Sequence, residues 1–376
     1  MAATRWHVGR QAGPPPVPES TRPIPRLNVV SPARQDGPRG AATLYYGCHG
    51  PVTPRSGGVR HLRPAIAALL VALLFPAVQP VRAAQPTPQP GRIVERTFTN
   101  SAGTRAYDLY VPAAASAGRP LMVWLHGCGG PGQMEAGHAL ARVAEERGFA
   151  LAFPLQDRAA NAQDCWNWFD PTSMHRVSGE ASILAGITTS LIGELGIDPT
   201  RVYIGGYSAG GAMSTVMGAA YPDLYAAIAP SAGAPYAFDG SGRKAYQEMG
   251  PRARPVPAFI LQGVTDEISN YAIGRINMAQ WLGTDDLADD GQQNGSVSLL
   301  PSAAEPMPPG PGLPVPLLLE HYRAADGCDV GRLLTSPAEH VVNGALFYYD
   351  AGLGLQRLMM DFLLAHRLGV AHRGCG

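Results

Sequence analysis

Lysine is almost missing from this sequence. Lys244 is the single one among 29 basic residues, which are matched by 29 acidic ones, and only 15% of the chain is charged. A chain with zero net charge carries no electrostatic footprint for a phosphate backbone, so nucleic-acid binding is excluded as a leading function. No apolar run reaches the roughly 20 residues that a membrane-spanning helix needs. The run Ala65–Val78 is shorter and is broken by Pro76. Cysteines are few, five in 376 residues, and none forms a C-x-x-C pair or a His/Cys cluster. No metal site and no cofactor is therefore expected. What is there in quantity is apolar material, 45% of the residues, enough for a full core and too much for a mostly disordered chain.

Residues 1–58 are rich in Pro and Arg, without helical or strand periodicity, and are expected to stay disordered. Residues 59–84 read differently. A basic Arg60-His61-Leu62-Arg63 precedes the apolar Ala65–Val78, and Val81-Arg82-Ala83-Ala84 offers small residues for cleavage. That order describes a secretory signal peptide. The mature protein is expected to be residues 85–376, secreted or periplasmic, with no stable membrane anchor after cleavage. In an oxidising compartment its cysteines can pair. Cys128 and Cys165 lie near motifs that should converge, and they are the expected disulfide.

Along 85–376 short apolar runs alternate with helical patterns. Strands are expected at 106–111, 121–125, 149–153, 201–205, 226–230 and 256–261, and helices at 136–147, 179–196, 209–220, 271–283 and 354–367. Buried strands alternating with helices predict an α/β fold, with a mostly parallel sheet covered on both faces. Its ligand site should lie at the carboxyl ends of the strands. The polar, Pro-rich stretch 284–316 reads as a loop or lid excursion.

The chemistry concentrates in Gly206-Tyr207-Ser208-Ala209-Gly210, a G-x-S-x-G between a predicted strand and a predicted helix. In that context the motif makes a sharp turn that lifts a serine oxygen above the sheet. It also leaves the Ala209 N–H at a helix N-terminus, where it can donate to an oxyanion. A second donor should come from the glycine loop His126-Gly127-Cys128-Gly129-Gly130, through the N–H of Cys128. Asp266, after the strand at 256–261, occupies the place of an acid that orients an imidazole. The imidazole is harder to find. His321, His340 and His366 follow in the chain, and none has an obvious loop-tip setting. Trp166, Trp168 and Tyr207 are candidates for the wall of an acyl or polymer groove.

With these residues assembled, the chain resembles the secreted poly(3-hydroxyalkanoate) depolymerase-like esterases, to which feruloyl and acetyl-xylan esterases are related. The resemblance is carried by WLHGCGG at 124–130, CWNWF at 165–169, GE at 179–180, DPTRVYIGGYSAGGAM at 198–213, YPDLYAAIAPSAG at 221–233, NMAQWL at 277–282 and RLMMDFLLAHRLG at 357–369. It implies the α/β-hydrolase fold, Ser208 as nucleophile, Asp266 as acid, and an ester substrate cleaved through an acyl-enzyme. It also implies a base in a G-x-G-H-A-W segment before the closing helix. Aligning Gly344 with the first glycine of that pattern puts Phe347 at the base position, and His340 is the nearest substitute. Two functions follow as expectations. One is a serine esterase acting on a polyester or a carbohydrate ester, with His340 as base. The other is a hydrolase-fold binding protein without turnover.

Overall fold

Five segments carry no charged residue and are buried at every position: Leu121–Leu125 (β3), Ala150–Pro154 (β4), Val202–Tyr207 (β5), Ala227–Ser231 (β6) and Ala258–Gly263 (β7). A strand of that composition is stable only where both its faces are covered. In the computed structural model, which describes residues 91–114, 116–129, 138–340 and 353–369, they form the centre of one sheet. Outer strands are Ile93–Asn100 (β1), Gly103–Tyr110 (β2), Ala303–Met307 (β8), Leu317–Arg323 (β9) and Asp329–Ser336 (β10), and the order is β1-β2-β4-β3-β5-β6-β7-β10-β9-β8. Neighbours from β4 through β10 run parallel, and β1, β2, β8 and β9 extend the edges antiparallel.

Alternation along each strand divides the core in two. On β3, Leu121, Val123 and Leu125 face a cluster with Ile183, Met213 and Trp281, which come from helices α2 (Gly179–Leu195), α3 (Ala209–Ala220) and α5 (Tyr271–Asp290). Met122 and Trp124 face the other cluster, with Leu140 and Met359 from α1 (His138–Arg147) and α6 (Gly354–Leu364). The short α4 (Arg243–Met249) joins the first face through Ala245 and Met249. The mostly parallel sheet covered on both faces is what the strand–helix alternation implies, and its α/β-hydrolase architecture is what the resemblance implies.

The segment 284–316 departs from its reading as a loop or lid. Its first part continues α5 to Asp290, and Ala303–Met307 pairs with β9 as the sheet's last strand. Two of its acidic residues are turned inward and satisfy backbone. Asp285 accepts the Val256 N–H at 2.7 Å, and Asp286 accepts the Val297 N–H at 3.0 Å, which folds the chain back after the helix. Pro306 is tolerated because β8 is an edge strand. The segment 1–58 expected to be disordered, the expected signal peptide 59–84, Gly130 and Phe347 lie outside the described residues. Among the described residues no helix is long and apolar enough to cross a membrane.

Candidate active site

The G-x-S-x-G turn joins β5 directly to α3. Ser208 sits at φ 56°, ψ −118°, a strained conformation for a residue with a side chain. It is held there by its own N–H donating to the Ser231 carbonyl at 2.8 Å, and by its carbonyl accepting the Ala212 N–H at 2.9 Å. The flanking glycines are steric necessities. A Cβ on Gly206 would lie 2.6 Å from the Leu125 carbonyl oxygen, and one on Gly210 would collide with that same oxygen. Only with both positions bare can α3 begin hard against the end of β3.

The ends of other strands supply the surroundings. After β3, Gly127 passes so close to the turn that an added Cβ would stand 3.2 Å from the Ser208 Cβ. Cys128 follows it, and Ala209 opens α3, where the first backbone N–H groups have no carbonyl inside the helix. Beyond β7, Asp266 is buried, and one carboxylate oxygen accepts the N–H groups of Ile268 at 2.9 Å and Ser269 at 2.7 Å. Its other oxygen is 2.7 Å from Nδ1 of His340, and Nε2 of His340 is 3.0 Å from the Ser208 Oγ. With Nδ1–H donating to the carboxylate, Nε2 is left to accept the serine hydroxyl. The structure thus brings Ser208, Asp266 and His340 into one chain of hydrogen bonds.

His340 is four residues past the end of β10, the strand that pairs with β7 in parallel, Ser336 opposite Gly263. The sequence reading had no strand at 329–336, and that is why His340 lacked a setting there. The signal was Val330 with Leu333 and Leu334, obscured by Asp329 and Arg332, which neutralise each other at 2.8 Å. The other two histidines are elsewhere. His321 lies in β9, 3.6 Å from Glu305. His366 follows α6, outside the helix it was expected to join, with ring nitrogens 2.8 Å from the Phe362 carbonyl and 2.9 Å from the Asp329 carbonyl.

A family model described as esterase PHB depolymerase matches residues 105–277. The chain resembles that esterase family. The match takes in Ser208 and Asp266 and ends before β10, so His340 lies beyond it. Poly(3-hydroxyalkanoate) depolymerase C of Paucimonas lemoignei is 32% identical over 189 residues, covering 50% of this chain and 46% of that protein. Feruloyl esterase B of Neurospora crassa is 33% identical over 141 residues, covering 37% of this chain and 47% of that protein. The chain therefore spans about half the length of these curated relatives. An acetyl xylan esterase structure from Aspergillus awamori superposes with a TM-score of 0.56 at 20% identity, covering 73% of this chain and all of that one. That likeness concerns the fold.

The esterase-family motifs outside the turn form a support for the glycine loop. Cys128 and Cys165 are joined by a disulfide. Gly129 N–H adds a bond to the Gln163 carbonyl at 2.9 Å. Below them Glu180 is buried and pairs with Arg105 at 3.0 Å, while its other oxygen accepts the Asn167 N–H at 2.8 Å. Gln156 reaches both Glu180 and the Cys165 carbonyl. A buried carboxylate with this many donors is compensated, and it fixes the CWNWF segment in place. Replacing both cysteines with alanine is expected to cost on the order of 3–4 kcal/mol for a loop of this length. Denaturant unfolding of the variant checks this, and a loss below about 1 kcal/mol would count against the bridge as a structural strut.

His126 is a supporting residue. It is fully buried, its Nε2 accepts the Gln156 N–H at 2.9 Å, and its Nδ1–H donates to the Gly127 carbonyl at 2.6 Å. Burial pushes its pKa below that of an ordinary histidine, so it holds the loop as a neutral ring. Two groove candidates are corrected. Trp166 is wholly buried, 5.5 Å from the His126 ring, and is core because its indole fills the space behind the glycine loop. Tyr207 is 5% exposed and its hydroxyl donates to the His340 carbonyl, so it faces inward. Trp168 remains partly open, with its ring 5.5 Å from Phe169 and 5.3 Å from Phe238, both of them exposed.

Proposed function

We propose that this chain is an exported serine esterase that hydrolyses carboxylic esters through an acyl-enzyme. The observation that carries the reading is the single line of hydrogen bonds from Asp266 through His340 to the Ser208 oxygen. His340 Nε2 takes the hydroxyl proton as Ser208 Oγ attacks the ester carbonyl. Asp266 holds the imidazole and stabilises the cation that forms. The negative oxygen of the tetrahedral intermediate is received by the N–H groups of Cys128 and Ala209. His340 then returns the proton to the departing alcohol, the carbon–oxygen bond breaks, and water repeats the sequence on the acyl-enzyme.

The same imidazole favours turnover over a purely binding role, since Ser208 has a base within reach. The exposed Phe169 and Phe238 beside Trp168 favour an ester with an apolar or aromatic portion. A polyester and a carbohydrate ester both fit the names of the relatives, and hydroxyalkanoate oligomers are the substrate we would test first. Export is supported by the leader-like 59–84 and by the disulfide.

A fluorophosphonate probe tests the reading. Mass spectrometry is expected to find the phosphonyl adduct on the peptide that contains Ser208, formed in proportion to loss of activity on p-nitrophenyl butyrate. Inactivation with the adduct on any other residue, or no adduct at all, defeats it.

A further inference from the structure

We infer that Tyr207 is a positioning residue for the base: its phenol holds the backbone of His340 while its ring braces the imidazole against the glycine loop. The inference rests on the serine-esterase reading and assigns a function to a side chain that the motif itself leaves unspecified.

His340 needs more than its two ring bonds. The Nδ1–Asp266 and Nε2–Ser208 bonds fix the ends of the imidazole, but they do not themselves hold the backbone that carries it. On the Asp266 side the end of β10 accepts the Val264 N–H at the Ser336 carbonyl, 2.8 Å, and the first residue after it accepts Thr265 Oγ1 at the Pro337 carbonyl, 3.4 Å. On the Ser208 side the tie is the Tyr207 hydroxyl, which donates to the carbonyl of His340 itself. The two rings also touch, with centroids 5.0 Å apart and planes tilted by 34°. The phenol also meets the glycine loop, where a Cβ on Gly127 would be 3.2 Å from Tyr207 Cδ1. One side chain thus links the nucleophile turn, the loop of the oxyanion donor and the base. Misplacing a reacting group by about 1 Å can cost about 100-fold in rate. A tether at this point therefore acts on the chemical step and leaves substrate binding alone.

The same strand supplies a matched control. Tyr203, four residues earlier on β5 and on the same side of the sheet, donates its hydroxyl to the His366 carbonyl at 2.8 Å, remote from the site. Tyr203→Phe and Tyr207→Phe each remove one tyrosine–carbonyl bond from the same face.

The test compares kcat, KM and thermal midpoint for both variants in the full chain, with p-nitrophenyl butyrate. Tyr207→Phe is expected to lower kcat about 10- to 100-fold with KM within twofold. Tyr203→Phe should lose stability and keep its kcat. An unchanged kcat in Tyr207→Phe overturns the inference. So does a rise in KM alone, which would make Tyr207 a substrate wall. A kcat loss in Tyr203→Phe equal to that in Tyr207→Phe also overturns it, by making the effect one of stability. Should Tyr207→Phe fail to fold, a tetrafluorotyrosine at 207 keeps the shape but ionises well below an ordinary phenol. As it loses its proton it loses the donor, and kcat should acquire an alkaline limb that the same replacement at 203 lacks. Absence of that limb is equally fatal. The Ser208→Ala variant separates the two levels. If it is inactive while Tyr207→Phe is unimpaired, only the positioning role fails; if it is as active as the parent chain, the serine-esterase reading fails.

Discussion

Ser208→Ala is expected to lower kcat on p-nitrophenyl butyrate about 10⁶-fold, the loss seen when a nucleophile that works as a unit with its base is deleted. The backbone argument says the variant will fold. Alanine carries the same Cβ as serine, so the cost of holding φ at 56° is already present in the parent protein. Ser208 is only partly buried, so removing its oxygen opens no enclosed cavity. The variant should unfold at nearly the parent temperature while retaining a residual rate, about 10³–10⁴ above water, from the oxyanion donors and substrate positioning. Initial rates and a thermal midpoint on one preparation decide it. Equal rates for the two proteins would remove Ser208 from the mechanism.

His340→Ala is the second expectation, with a loss of comparable size, again about 10⁶-fold in kcat. Its value lies in choosing among the histidines of the sequence. His321→Ala and His366→Ala should leave kcat within a few-fold, because one faces Glu305 at the sheet edge and the other is bonded to backbone carbonyls behind α6. The double variant Ser208→Ala/His340→Ala should be hardly slower than either single one, since each removes the same proton transfer. A His340→Ala enzyme with near-parental kcat would point to another base, and the hydrogen bond to Ser208 would then be incidental. If the two losses simply multiplied, the residues would be acting separately.

Much of the sheet was readable because its central strands are short, apolar and free of charge, and their burial on both faces demands that composition. Recognition of β10 failed for the complementary reason. Asp329 and Arg332 make the segment look like surface; their pairing with each other and with Arg323, between the parallel neighbour β7 and the antiparallel neighbour β9, lets it lie in the sheet as a strand. The stretch 284–316 misled in the same way, since Asp285 and Asp286 are inward-facing acceptors for backbone N–H groups.

The amino-acid order alone determined the turn at Ser208. A bare position on each side of x-S-x, a charge-free strand before it and a helix after it are local requirements, and local requirements leave a mark within a dozen residues. The place of His340 was decided by the tertiary structure. It stands 132 residues from Ser208 and 74 from Asp266, and no local pattern encodes contacts at that range. The role inferred for Tyr207 belongs to the same class, because a hydroxyl facing a carbonyl 133 residues away acquires its meaning only when β10 docks beside β7 and brings the two together.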